Sequence, residues 1–297
     1  MTQFDANWLD QLDGFMSLFG DSFRRRDQAR WASVYLRALL TVEGRKTINR
    51  LAHGAALSPE LTAEDAAQAL QNFVNQSPWD EQAIWRRCRS LLAERLAGPE
   101  GVFVADDLTF VKQGRHSVGV QRQYSNSLGR KANCQIAVAL YYVSATGAAP
   151  LGLRLYLPRA WLQQPERLDA AGVPHESRRA VGKAAVALEL LDEVRKEGWP
   201  ALPVLGGAGH AASADFLDGL HPRGLSYLPE AAAEAASVRR ATAEVEASLT
   251  EGLGLHHFEG RSWRGFHHHA CLVALAYVFR QLHGCRGGCL PAAAVGA

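Results

Sequence analysis

Apolar residues recur at intervals of three and four through the first third of the chain. Trp8, Leu9, Leu12, Phe15, Met16 and Phe19 form one series, and Trp31, Val34, Tyr35, Leu39 and Leu40 form a second. Such spacing lines side chains along one face of a helix, so residues 1–98 read as a helical region. The pattern changes at Gly101. Gly101 to Ala105 is a short valine-rich run, as expected of a strand buried on both faces, and Asp106 and Asp107 follow it directly. Three strand-like runs lie between Gly101 and Leu140, and Ala149 to Leu157 continues the pattern. Pro158 to Pro174 reads as an irregular link. Ala180 to Gly198 is helical by its Val181, Ala184, Leu188, Leu191 and Val194 repeat, with Gly198 beyond its end. A strand at Leu202 to Leu205, a helix at Ala212 to Leu220 and a short strand at Gly224 to Leu228 come next. An alanine-rich helix over Glu230 to Thr250 and an apolar helix over Ala270 to Leu282 complete the series. The expected organisation is a helical region at 1–98, an α/β domain at 99–284 and a flexible tail at 285–297.

Composition narrows the function classes. The chain has 297 residues and is 47% hydrophobic, with no apolar run near the roughly 20 residues of a membrane span. Asp5, Asp10 and Asp13 stand where a signal peptide would carry basic residues, so the cytoplasm is the expected compartment. Cys88, Cys134, Cys271, Cys285 and Cys289 are an odd, scattered set, expected to be reduced. Residues 1–100 hold 12 basic and 13 acidic side chains, a net of −1. That is a poor match for a polyanion, which is normally gripped by a basic face. The clusters Arg24, Arg25, Arg26, Arg30 and Arg86, Arg87, Arg89 read first as solvated helix surface. His256, His257, His267, His268, His269 and His283, with Cys285 and Cys289, are zinc-type ligands at spacings unlike a zinc site, so no metal is assigned to them.

Adjacent acids on a strand point to opposite faces, so one of Asp106 and Asp107 is expected to look into a pocket. The surrounding residues carry a resemblance. Asp106-Asp107, Lys112, Gly114, His116 to Val120, Arg122 to Tyr124 and Leu128 to Gln135 form one block. LYLPRAW at Leu155 to Trp161 and GLGLHHFEGRSWRGFHHH at Gly252 to His269 are two more. With these blocks the chain resembles the DDE transposases of bacterial insertion sequences, whose catalytic domain is RNase H-like. The resemblance implies an α/β fold, an RNase H-like mixed sheet with flanking helices, and makes Asp106 the first of three acids that hold two divalent metals. Relatives end their next strand in a pattern close to V-L-A-D-A-G-Y-G. Here Val204 to Ala211 reads V-L-G-G-A-G-H-A, which puts Gly207 in the acid's place and His210 in the tyrosine's. On the last helix of the set, Arg239 keeps the family arginine, Ala243 falls on the glutamate and Thr250 on the lysine. The insertion that relatives carry before that helix is absent. Asp215 and Glu244 are the nearest substitute acids.

Glycine and alanine offer no metal oxygens, so the ancestral Mg²⁺ site is expected to be lost, with no cofactor. Asp106, Asp107, His116, Tyr124 and His210 are the candidate catalytic groups. Lys112, Arg122, Glu259 and Arg261 are candidates for binding substrate, although Glu259 and Arg261 also suit a simple ion pair. The expected function is a transposase-derived scaffold recruited to a bacterial biosynthetic pathway, as enzyme or partner subunit, meeting a partner protein or a small molecule. The alternatives are a non-cleaving DNA-binding relic or transposition regulator, and a nuclease with substituted metal ligands.

Overall fold

A computed structural model describes residues 7–54 and 63–283 of the chain. The early helices are α1 (Trp8–Ser17), α2 (Arg26–Thr41), α3 (Ile48–Gly54), α4 (Ala63–Asn75) and α5 (Glu81–Leu96). Four strands follow: β1 (Val102–Val111), β2 (Gln121–Ser125), β3 (Arg130–Ser144) and β4 (Gly147–Leu155). The stretch read as irregular holds two short helices, α6 (Arg159–Leu162) and α7 (Pro165–Ala170). Pro158 caps the first and Pro165 opens the second, the position where proline's missing N–H costs nothing. Helix α8 (Lys183–Lys196) leads to β5 (Val204–Gly206), then α9 (Ala208–Ala211) and α10 (Ala214–Leu220). Gly198, just beyond α8, has φ +94°, a conformation that suits glycine. The helix expected at Ala212 to Leu220 begins two residues later, because the Ser213 hydroxyl accepts the Phe216 N–H and caps α10. Gly224 to Leu228 is reduced to a single parallel bridge, Val204 to Tyr227. Helix α11 (Ala235–Ala247) runs into a π-helical turn at Ser248–Gly252, and α12 (Trp263–Leu282) follows. None of the described helices is long and apolar enough to cross a membrane.

The sheet is mixed, in the order β2-β3-β1-β5, with β4 also paired to β3. Strands β1, β2, β3 and β4 join antiparallel, and β5 lies parallel to β1. Helix α8 packs on β3 and β4, and α9 on β1. This is the expected RNase H-like α/β architecture, preceded by helices. Tyr142, buried on β3, ties the end of α5 to the sheet: its hydroxyl donates to Leu96 O and accepts from Gly98 N, each at 2.9 Å. Leu96 and Gly98 sit where a helix end leaves backbone groups without intrahelical partners.

The chain forms two compact units. One gathers residues up to Cys88 with Glu246–Gly260 and the stretch from Arg264, and the other holds Arg89–Val245 with Arg261–Trp263. The first unit explains the histidine-rich block. His267, His268 and His269 lie inside α12, not ahead of it, and all three are buried. His269 Nδ1 is 2.8 Å from the Tyr35 hydroxyl, and Nε2 is 3.1 Å from Gly254 O. His268 stacks on Trp79 at 3.7 Å between the carbonyls of Val74 and Trp79, and burial holds its pKa down to about 3. It is therefore a buried core ring. His283 stacks on Phe279. Cys285, Cys289 and the 285–297 tail lie outside the described residues.

The arginine clusters separate. Arg25 pairs with Asp27 and Arg86 with Asp80 on the surface, whereas Arg89 is only 2% exposed. Within the second unit Arg89 meets Glu197 through two 2.5 Å bonds and donates to Leu151 O at 2.9 Å. It thus joins α5, β4 and the end of α8 as an internal cation, unavailable to a polyanion. Arg89→Ala should lower the unfolding free energy by about 3 kcal/mol in urea denaturation. Arg89→Lys should recover only part of that, since an ammonium cannot reproduce the planar two-bond contact.

Candidate functional site

The site forms where β1 outruns β5. Parallel pairing covers Phe103 to Ala105 against Val204 to Gly206, and ends as Gly207 N donates to Ala105 O at 2.7 Å. On its other edge β1 continues, with Asp106 opposite Ala139 and Asp107 opposite Val138. The two acids therefore lie inside β1 and do not follow it. They stand at a strand end only with respect to β5. There the chain turns away through Gly207 into α9, which leaves room for side chains from helices on both faces.

Asp107 faces α8 and α9. Its carboxylate takes an ion pair from Lys183, the first residue of α8, and lies 3.1 Å from His210 Nε2. Side-chain exposure is 5% for Asp107 and 2% for His210. Burial pushes the Asp107 pKa up, but the His210 hydrogen bond and the Lys183 charge outweigh it and hold the carboxyl below its ordinary value. The His210 ring also packs against Phe216, with centroids 5.1 Å apart. Closed in this way, the dyad holds β1 to the two helices and presents little surface to a substrate.

Asp106 faces the other side, toward α11. Its Oδ1 accepts from Asp107 N at 2.8 Å, and its Oδ2 is 3.6 Å from Arg239 Nη1. Arg239 also donates to Gly206 O and to the Glu230 carboxylate. Burial raises the Asp106 pKa, against the pull of the backbone N–H and of Arg239. At 30% side-chain exposure it is the more accessible acid. A Cβ at Gly207 would fall 1.9 Å from Asp106 Oδ1 and 2.2 Å from Cγ. The carboxylate thus leans into space that only glycine leaves free. Ala243 lies four residues beyond Arg239 and so shares its helix face, while Glu244 is rotated away by about 100°. Glu244 and Asp215 are both exposed. Among the described residues no three His, Cys, Asp or Glu side chains are grouped to hold a metal ion.

The other candidates are placed elsewhere. Arg122 and Tyr124 lie on β2, which pairs with β3 and not with β1, although the end of β2 reaches β1 through the 2.8 Å contact of the Ser125 and Thr109 hydroxyls. Both are exposed, as is His116, and Lys112 is half-buried at the end of β1. Arg261 is exposed and its carbonyl accepts the Val118 N–H at 3.0 Å. Glu259 belongs to the first unit, where it pairs with Arg45 at 2.8 Å instead of with Arg261. Of the predicted residues, then, the structure brings Asp106, Asp107 and His210 together. It adds three that sequence reasoning did not place in the site: Lys183, Arg239 and Glu230. Arg239 had a signal in the family pattern, while Lys183 and Glu230 had none.

The two acids should respond oppositely to neutralisation. Asp107 has a folded-state pKa below the ordinary 3.8, so its contribution is present above that value and lost as pH falls through the lower one. Asp106 has a raised pKa, so its ionisation weakens the fold as pH climbs from 3.8 through the raised value. At neutral pH, Asp107→Asn should cost about 2 kcal/mol in urea unfolding, whereas Asp106→Asn should leave stability unchanged or higher.

Residues 18–281 match the family described as DDE superfamily endonuclease. The chain is also similar to a protein of Microchaete diplosiphon named "Probable transposase for insertion sequence element IS701", at 26% identity over 185 residues. That match takes in 62% of this chain and 44% of the relative, so it spans less than half of the longer protein. The family match runs through β1, β5 and α11, the elements that build the two-acid site: the chain belongs to the DDE superfamily endonuclease family.

Proposed function

We propose that this chain is a transposase-derived scaffold that has lost two-metal DNA cleavage and serves a bacterial biosynthetic pathway, as an enzyme or as the partner of one. The observation that carries the proposal is the position of the Asp106 carboxylate, turned into the space at Gly207 and facing Arg239. A pair of divalent cations needs several hard oxygen ligands each. Of the three acid positions implied by the family pattern, Asp106 alone carries oxygens, and a guanidinium already stands against it. The residues present do not fit two divalent cations, and no step is routed through them.

What remains is a half-open acid beside a fixed guanidinium, an arrangement suited to holding a small polar ligand or moving one proton. The nearly neutral charge of residues 1–100 supports a role away from DNA. A second reading, a DNA-binding relic or regulator, is equally compatible with membership of an endonuclease family.

Incubation of supercoiled plasmid with the protein and Mg²⁺ or Mn²⁺ should give no nicking above buffer, and Asp106→Ala should change nothing. Metal-dependent nicking that Asp106→Ala abolishes would overturn the proposal. Biosynthetic genes beside this one would support recruitment, and terminal inverted repeats flanking it would support the relic.

A further inference from the structure

The β2–β3 hairpin and the loop that leads into it are basic throughout. Between Leu108 and Asn133 there are five basic residues, Lys112, Arg115, Arg122, Arg130 and Lys131, and no acidic one. Elsewhere in the same unit, Arg89, Arg154, Arg178, Arg179, Arg223 and Arg239 each meet a carboxylate. Arg115, Arg122, Arg130 and Lys131 are exposed and make no ion pair among the described residues.

The same hairpin exposes apolar surface. Tyr124 is 54% exposed, and Leu128 is also among the exposed large hydrophobic residues. Tyr124 pairs across the strands with Lys131, and Arg122 with Asn133. Directly opposed residues share a sheet face, so Arg122, Tyr124 and Lys131 stand together on one side, with Leu128 in the turn beyond them. Strand β2 ends the sheet order. Charges often guard such an edge against aggregation, but a guard has no need of an exposed tyrosine and leucine among the charges.

We propose that this hairpin is a docking finger for an acidic, amphipathic segment of a partner protein. Carboxylates of the partner would meet Arg122 and Lys131, and an apolar side chain would cover Tyr124 and Leu128. Aromatic and arginine side chains are the usual anchors of such contacts. Nucleic acid fits less well. Leu128 is aliphatic and neither stacks on bases nor pairs with phosphate, and the basic character does not extend into residues 1–100. The inference rests on the reading that the scaffold now works away from DNA.

The test is fluorescence anisotropy of the full chain with three labelled probes: a synthetic Glu/Leu amphipathic peptide, a polyglutamate of equal charge and a short DNA duplex. The amphipathic peptide should bind most tightly. R122E/K131E and Tyr124→Ser should each weaken it about tenfold or more, roughly the loss of one good anchor, while melting temperature stays unchanged. No peptide binding, or equal binding of polyglutamate and peptide, overturns the docking finger and leaves the metal-free site standing. Preference for the duplex, lost in the same variants, overturns the docking finger and favours the DNA-binding relic. Plasmid nicking would instead strike at the proposed loss of cleavage.

Discussion

A carboxylate shut between a sheet and its covering helices is tolerable only with a cation and a hydrogen bond held against it. Asp107 sets that condition here. Lys183 at the start of α8 and His210 on α9 meet it, and both helices are thereby tied to one point on β1. The parallel strand β5 stops at Gly206 and turns into α9, which brings the histidine back over β1. The site is therefore the place where three elements converge on one buried charge, and its neighbouring acid inherits a fixed setting.

That neighbour shows how a small side chain can redirect a site. Gly207 has no side chain, and the space beside it is taken by the Asp106 carboxylate itself. Arg239 then lies between Asp106 and Glu230. The guanidinium is a monovalent, planar cation whose geometry is set by its own α11 backbone and by the Gly206 carbonyl. It balances charge where it stands, and it cannot exchange with solvent as an ion would.

Much of this was legible in the sequence, and the failures have physical causes. The α/β alternation, the helical start and the meeting of Asp106, Asp107 and His210 follow from periodicity and family pattern. Strand β1 was read as ending at Ala105 because Asp106 and Asp107 are polar; pairing with β3 carries it through them, since each acid finds a cation off the strand. Lys183 was invisible because a lysine after a glycine at a helix start has no distinguishing pattern. Glu259 and Arg261 look paired by proximity in sequence, yet Glu259 bonds Arg45, more than two hundred positions earlier. The histidines look like ligands when written side by side. Inside α12 their side chains turn by about 100° per residue, so each meets a different neighbour. The return of α12 to the first helices is likewise hidden by sequence order.

The close approach at Gly207 also couples two positions on neighbouring elements. Any side chain placed at 207 would collide with Asp106 as it now lies. The carboxylate would have to take another rotamer and give up its bond to the Asp107 N–H. The size of residue 207 therefore acts as a selector of where Asp106 points.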